Sequence, residues 1–171
     1  LAVSGGVDSM AMLYLFKEAG FRVGVAHCNF QLRGKESDGD EEFVRQVCKD
    51  LNIPFFITRF ETEAYAWENT LSIQMAAREL RYAWFDEILK SHSYEWLATG
   101  HHLDDTMETI LLNITRGTST DGLAGIPVRN GNIIRPLLFA TRKEIEKYAL
   151  RKGMVWREDL SNLTDDYQRN F

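Results

Sequence analysis

Apolar and polar positions along this chain fall into two alternating rhythms, short strand-like runs and longer helical ones. Leu1-Ala2-Val3 is an apolar stub, and residues 10–16 form an apolar helical run that Gly20 is placed to cap. Arg22-Val23-Gly24-Val25-Ala26-His27 reads as a second strand. Residues 31–39 are a polar loop in which Ser37 and Asp38 can cap a helix with Phe43, Val44, Val47, Cys48 and Leu51 on its inner face. Residues 53–60 are rich in β-branched and aromatic side chains, which predicts a strand. A longer helix is predicted over 71–91, with Ile73, Ala77, Leu80, Trp84 and Ile88 along one face.

Trp96-Leu97-Ala98-Thr99-Gly100 predicts a short buried strand, and a helix carrying Met107, Ile110, Leu111 and Ile114 follows it. Residues 117–131 are rich in glycine and predict a mobile surface loop, with a final strand over 133–138. Thr141-Arg142-Lys143-Glu144 is a capping box that opens the last helix. Strands alternating with helices imply an α/β fold, Rossmann-like and three-layered. It would have a parallel sheet of about five strands and helices on both faces. In such sheets ligands bind beyond the carboxyl ends of the strands. That rule gathers residues 4–9, His27-Cys28-Asn29 and 100–105 on one rim.

Composition narrows the class. A hydrophobic content of 44% and a charged content of 26% are ordinary for a soluble globular domain, and 171 residues fit one. No apolar run approaches the roughly 20 residues of a membrane span, and no signal peptide is visible, so no membrane partner is expected. The chain opens without Met and already inside a strand, which reads as a fragment trimmed at its N-terminus. Cys28 and Cys48 form no C-x-x-C pair, so a zinc site or disulfide framework is not expected and a cytoplasmic location is. The net charge of −5 is uneven: residues 1–128 carry 11 Lys+Arg against 19 Asp+Glu, and residues 129–171 carry 9 against 6. The latter part is suited to a polyanion, although ordinary solvated charge gives the same pattern.

The chemistry concentrates in two places. Ser4-Gly5-Gly6-Val7-Asp8-Ser9 lies between a strand and a helix N-terminus, where unpaired N–H groups favour phosphate. Gly5 and Gly6 permit backbone angles closed to other residues, the Ser4 and Ser9 hydroxyls add donors, and Asp8 can hold a metal bridging phosphates. The loop lacks the lysine of G-x-x-x-x-G-K-[ST] and the spacing of G-x-G-x-x-G. Gly100-His101-His102-Leu103-Asp104-Asp105-Thr106-Met107-Glu108 is the second cluster, with an acid and a histidine offered for catalysis and one aspartate for a helix cap.

Ser4-Gly5-Gly6-Val7-Asp8-Ser9 resembles the PP-loop of the N-type ATP pyrophosphatases, which cleave ATP between its α and β phosphates. With Ala26 to Arg33, Ala77-Arg78-Glu79-Leu80-Arg81-Tyr82, Gly122 to Pro127, Arg135-Pro136-Leu137-Leu138, Trp156 to Asn162 and Tyr167-Gln168-Arg169-Asn170, the whole chain is similar to the N-terminal domain of the tRNA(Ile)-lysidine synthetases. The resemblance implies an adenine nucleotide alpha hydrolase-like fold and a single PP-loop catalytic domain over 1–171, without the C-terminal tRNA-binding part. It implies ATP and Mg²⁺ as cofactors. The implied partners are L-lysine and a tRNA(Ile) with a CAU anticodon, with room for a homodimer.

The implied reaction adenylates the wobble cytidine and then lets lysine displace AMP at C2. Asp8, His101, Asp105 and Arg78 are the expected catalytic residues, with Mg²⁺ on Asp8 and Asp105. The nucleotide is expected on Ser4 to Ser9, His27, Asn29, Arg33 and Gly100, and Arg81, Arg116 and Arg169 are further candidates for phosphate or RNA. One departure is Phe30, where many members carry a histidine. Rival readings are a tRNA thiolase, an amidotransferase synthetase and a non-catalytic nucleotide- or RNA-binding module. A thiolase needs sulfur-carrying cysteines, usually paired, and Cys28 and Cys48 are far apart in sequence.

Overall fold

The computed structural model describes residues 1–117 and 124–157. Its elements run α1 (Val7–Glu18), β1 (Val25–Asn29), α2 (Lys35–Asp50), β2 (Phe55–Arg59), α3 (Thr62–Glu68) and α4 (Ile73–Ser91). They continue with β3 (Leu97–Ala98), α5 (Leu103–Thr115), β4 (Arg129–Asn130), β5 (Ile133–Ile134) and α6 (Arg142–Arg151).

β1 and β2 pair in parallel from Val25↔Phe55 to Asn29↔Arg59, and β3 pairs in parallel with β5, which carries β4 antiparallel on its other side. The first residues join these two halves. Ala2 N–H donates to Ala98 O at 2.9 Å, Val3 N–H to Ala26 O at 3.0 Å, and Ala26 N–H to Leu1 O at 2.8 Å. The order across the sheet is therefore β2, β1, residues 1–3, β3, β5, β4.

Residues alternate across the sheet. Val3 and Val25 face α1 and α2, packing on Met10, Leu13, Val44 and Cys48. Ala98 and Leu137 pack with Val7, Ala11 and Met12 of α1 and with Ile145 and Ala149 of α6. On the opposite face Ala26 and Leu97 meet Phe85 of α4, flanked by Tyr82, Trp84 and Ile88. Helices thus cover both faces, and the three-layer α/β expectation holds.

Element ends follow local chemistry. After α1, Gly20 takes φ +76°, its N–H donates to Lys17 O, and Phe21 N–H donates to Phe16 O. This is a Schellman motif, closed by the Phe16–Phe21 ring contact at 5.3 Å. The capping box of α6 forms as read: Thr141 Oγ1 accepts from Glu144 N–H, and Glu144 Oε2 accepts from Thr141 N–H at 2.8 Å.

Four expectations need correction. β1 begins at Val25, not Arg22, where its parallel ladder with β2 opens at the Val25↔Phe55 pair. Ser37 and Asp38 lie inside α2, which starts after Gly34 (φ +51°) without a side-chain cap. The short helix α3 was not foreseen. Residues 117–131 include β4, so their C-terminal end is a hairpin strand; residues 118–123, with Gly122 and Leu123, lie outside the described residues. Residues 158–171, including Arg169 and the stretches from Glu158 to Asn162 and Tyr167 to Asn170, lie outside them too. No helix among the described residues is long and apolar enough to cross a membrane.

Candidate functional site

The loop over residues 4–9 is clipped by one hydroxyl. Ser9 Oγ accepts from Ser4 N–H at 3.2 Å and Gly5 N–H at 3.3 Å, and it donates to Gly6 O at 2.9 Å. Ser9 therefore shapes the loop, while Ser4 remains exposed at its edge. Gly5 has φ +104°, a left-handed angle that a side chain would strain. Gly6 does not: its φ of −73° is open to any residue, and a Cβ at this N-cap position would meet only Ser4 Oγ at 3.7 Å. The first intrahelical bond is Met10 N–H to Gly6 O at 3.0 Å, so the N–H groups of Val7, Asp8 and Ser9 precede the helical ladder. Val7 is buried in the core and offers a ligand only its backbone.

These residues open onto a cleft of about 440 Å³ at the carboxyl ends of the strands. Ser4, Asp8 and Ser9 line one side, Gly100, His101, His102 and Asp105 a second, and Cys28, Phe30, Arg81 and Tyr82 a third. Gly100 packs closely on the loop, since a Cβ there would lie 3.2 Å from the Ser9 nitrogen. A second cavity of about 440 Å³ opens by Gly24 and Trp96, before β1 and β3. Apart from the chain's first amino group, its charged lining is Arg22 and Glu95 among apolar side chains, a poor match for a polyphosphate.

Within the cleft the acids are held by specific partners. Asp8 Oδ2 is ion-paired with Arg142 Nη1, while Asp8 Oδ1 is buried without a hydrogen bond and lies 3.9 Å from His102 Nε2. Burial pushes the Asp8 carboxyl above its ordinary range, against the opposing pull of Arg142 and His102. Asp105 Oδ2 accepts from His102 N–H at 2.8 Å and so caps α5 while still lining the cleft. Asp104 Oδ2 instead accepts from Arg142 N–H at 2.6 Å, tying α5 to α6.

His101 Nδ1 lies 2.9 Å from Thr99 Oγ1. Burial lowers its pKa, opposed by Asp105 and assisted by Arg135, Arg81 and Arg78, so the imidazole is neutral near pH 7. His102 Nδ1, Thr106 Oγ1 and Arg135 Nε are also buried without a hydrogen bond, although His102 Nδ1 lies 3.5 Å from both Asp104 Oδ2 and Asp105 Oδ2. Native structures seldom leave such groups unpaired, and a bound ligand is one way they are satisfied.

Asp8 and Asp105 supply hard oxygen donors, one of them orphaned, and fit a Mg²⁺ held largely by nucleotide phosphates. No group of three or more His, Cys, Asp or Glu arranged for a metal occurs among the described residues. Cys28 lines the cleft as a protonated thiol, pushed by burial to about 12, and Cys48 is buried against α1, pushed up to about 11.

Seven expected site residues do not line the cleft: Gly5, Gly6 and Val7 within the loop, and His27, Asn29, Arg33 and Arg78 outside it. His27 and Asn29 occupy the odd positions of β1 and face α2, whereas Ala26, Cys28 and Phe30 face the cleft. His27 Nδ1 lies 2.8 Å from Val3 O, and burial lowers its pKa. Asn29 Nδ2 donates to Glu41 Oε2 at 3.0 Å and Asp38 Oδ1 at 3.2 Å. Arg33 is bridged to Asp40 at 2.8 Å. Arg78 is exposed, stacked over Tyr82 at 5.0 Å, and touches the site only through its charge on His101. Arg116 is the exposed residue that ends α5. Arg142 was missed, because its sequence signal is a single charge inside a capping box.

The sequence model of a family described as a PP-loop domain matches residues 1–171. A tRNA(Ile)-lysidine synthase from Porphyromonas gingivalis is 49% identical over 171 residues, covering 99% of this chain and 38% of that protein. One from Chlorobaculum tepidum is 52% identical over 177 residues, covering 100% of this chain and 53% of that protein. The chain thus spans about two fifths to one half of the length of these relatives. Among solved structures, an NH3-dependent NAD synthetase from Campylobacter jejuni in complex with the nitrate ion is similar, with a TM-score of 0.60 at 18% identity. The match covers 99% of this chain and 67% of that one, and it supports the fold alone.

Proposed function

This chain belongs to the PP-loop domain family, and from that premise we propose that it is the ATP-using catalytic domain of a tRNA(Ile)-lysidine synthase. The observation that carries this reading is the cleft itself. It joins the N-terminus of α1, two carboxylates and a neutral histidine in one space of nucleotide size. The polyphosphate lies along the N–H groups of Val7, Asp8 and Ser9, with Asp8 and Asp105 holding Mg²⁺. The metal ion would spread the negative charge of the departing pyrophosphate.

The wobble cytidine of a tRNA(Ile) with a CAU anticodon attacks the α-phosphate through O2, forming adenylated cytidine and releasing pyrophosphate. The ε-amine of L-lysine then attacks C2, and AMP leaves. Lysine must arrive without its extra proton, and His101, neutral at pH 7 and within the cleft, is placed to accept it. The relatives named tRNA(Ile)-lysidine synthase support this acceptor over cytidine thiolation, and so does the state of the cysteines. Cys28 carries its proton far above neutral pH, and Cys48 lies in the core behind α1.

The test is to supply the protein with ATP, Mg²⁺, L-lysine and tRNA(Ile) with a CAU anticodon. Pyrophosphate and AMP are then measured together with lysine bound to the tRNA. Pyrophosphate release that depends on tRNA, and AMP release that depends on both tRNA and lysine, are expected. Failure to bind ATP, or AMP release with lysine left unligated, would overturn the reading.

A further inference from the structure

Arg142 is the one cleft-lining cation contributed by α6, and its surroundings describe a residue held in waiting. Its Nε donates to Glu146 Oε1 at 2.8 Å, one turn along the same helix, and its Nη1 is bound to Asp8 Oδ2 across the fold. Its backbone N–H is fixed by Asp104 Oδ2 at 2.6 Å. One edge of the guanidinium is therefore held by α6 and the backbone by α5, while Nη1 crosses to α1.

Asp8 and Asp105 contribute two negative charges to the cleft, and Arg81 and Arg142 contribute two positive ones. An incoming polyphosphate raises the demand for cations sharply. If a divalent ion takes over the carboxylate of Asp8, the guanidinium loses its partner beside the phosphates. Guanidinium offers five N–H donors in a planar fork that matches phosphate oxygens.

We propose that Arg142 is a phosphate-binding residue whose guanidinium, paired here with Asp8, transfers to the polyphosphate when nucleotide and divalent ion bind. Resting on the nucleotide reading above, this assigns a role to α6 that the motifs at residues 4–9 and 100–108 do not supply. Asp8 serves as a placeholder for phosphate, and Glu146 keeps the side chain aimed while the tip changes partner.

The test is calorimetric titration of the protein with inorganic pyrophosphate, without and with Mg²⁺, and with ATP–Mg²⁺. Arg142→Gln is expected to weaken binding of ATP–Mg²⁺ and pyrophosphate–Mg²⁺ by roughly 10- to 100-fold, and Arg142→Lys, which keeps the charge but not the fork, by less. Asp8→Asn is expected to tighten metal-free pyrophosphate binding several-fold, because it releases the guanidinium and removes a repelling charge. Removing the charge alone would leave part of that gain in the Asp8→Asn/Arg142→Gln pair, so the proposal requires a non-additive cycle. Melting temperatures identify any variant that binds poorly because it is unfolded, and Arg142→Lys then carries the comparison.

Unchanged pyrophosphate–Mg²⁺ affinity in folded Arg142→Gln, or additive effects in the cycle, would reduce the pair to a structural clamp and overturn the proposal alone. Absence of ATP and pyrophosphate binding in the unaltered protein would overturn the nucleotide reading, and this proposal with it.

Discussion

A Cβ on Gly100 would sit 3.2 Å from the Ser9 nitrogen and 3.4 Å from the Asp8 carbonyl carbon, both backbone atoms that cannot swing aside. Gly100→Ala should therefore push the phosphate loop off its seat. We expect a loss of about 1–3 kcal/mol of stability by denaturant unfolding, with ATP affinity reduced together with it. Protonation is the other property set at single residues. His27 and His101 both have pKa values lowered mainly by burial, so each binds a proton less readily when folded than when unfolded. Their effect on stability is favourable above the unfolded value of about 6.5 and fades as pH falls through and below it. Asp8 has the opposite sign, its raised pKa favouring the folded state at acid pH until pH rises through the folded value. NMR titration should place the midpoints of both histidines below 6.5, and a midpoint above it for either would contradict the burial argument.

At the level of elements, the alternation and the caps at Gly20 and Thr141 were legible from the chain, while the Ser37–Asp38 cap and the facing of residues were not. The Thr141–Glu144 box and the Gly20 stop read correctly because their causes are local, a hydroxyl reaching three residues on and a glycine with positive φ. His27 and Asn29 were misassigned to the cleft because a strand end exposes one residue in two. Which parity faces the ligand depends on how α2 and α4 cover the sheet. Arg142 was invisible for a related reason, since its partner Asp8 lies 134 positions away in sequence. The α6 cap bears on function as well as stability. Thr141→Ala should cost about 1 kcal/mol. Because Arg142 and its bond to Asp104 start at the next residue, it should also weaken ATP binding beyond what a remote cap such as Ser72→Ala does. Equal ATP affinity in the two variants, measured well below their melting temperatures, would separate α6 from the site.

Considered whole, the molecule gathers the N-termini of α1, α5 and α6 at one end of a twisted sheet. Such an end sets the partial positive charge of three helix N-termini beside the carboxylates of Asp8, Asp104 and Asp105. ATP–Mg²⁺ should therefore raise the melting temperature, by about 2.7 kcal/mol of stability at roughly a hundredfold excess over Kd, and Asp8→Ala should remove most of that gain. A full thermal shift in Asp8→Ala would place the nucleotide elsewhere. Residues 1–3 carry a consequence for how such a molecule comes into being. They are the strip between β1 and β3, bonded to Ala26 on one side and to Ala98 on the other. During synthesis this strip emerges before either of its neighbours in the sheet, and its second edge stays vacant until nearly a hundred residues later. Until then the phosphate loop that follows it hangs from half a sheet. The cleft between residues 4–9 and residues 100–105 thus cannot form in a growing polypeptide before Ala98 has docked.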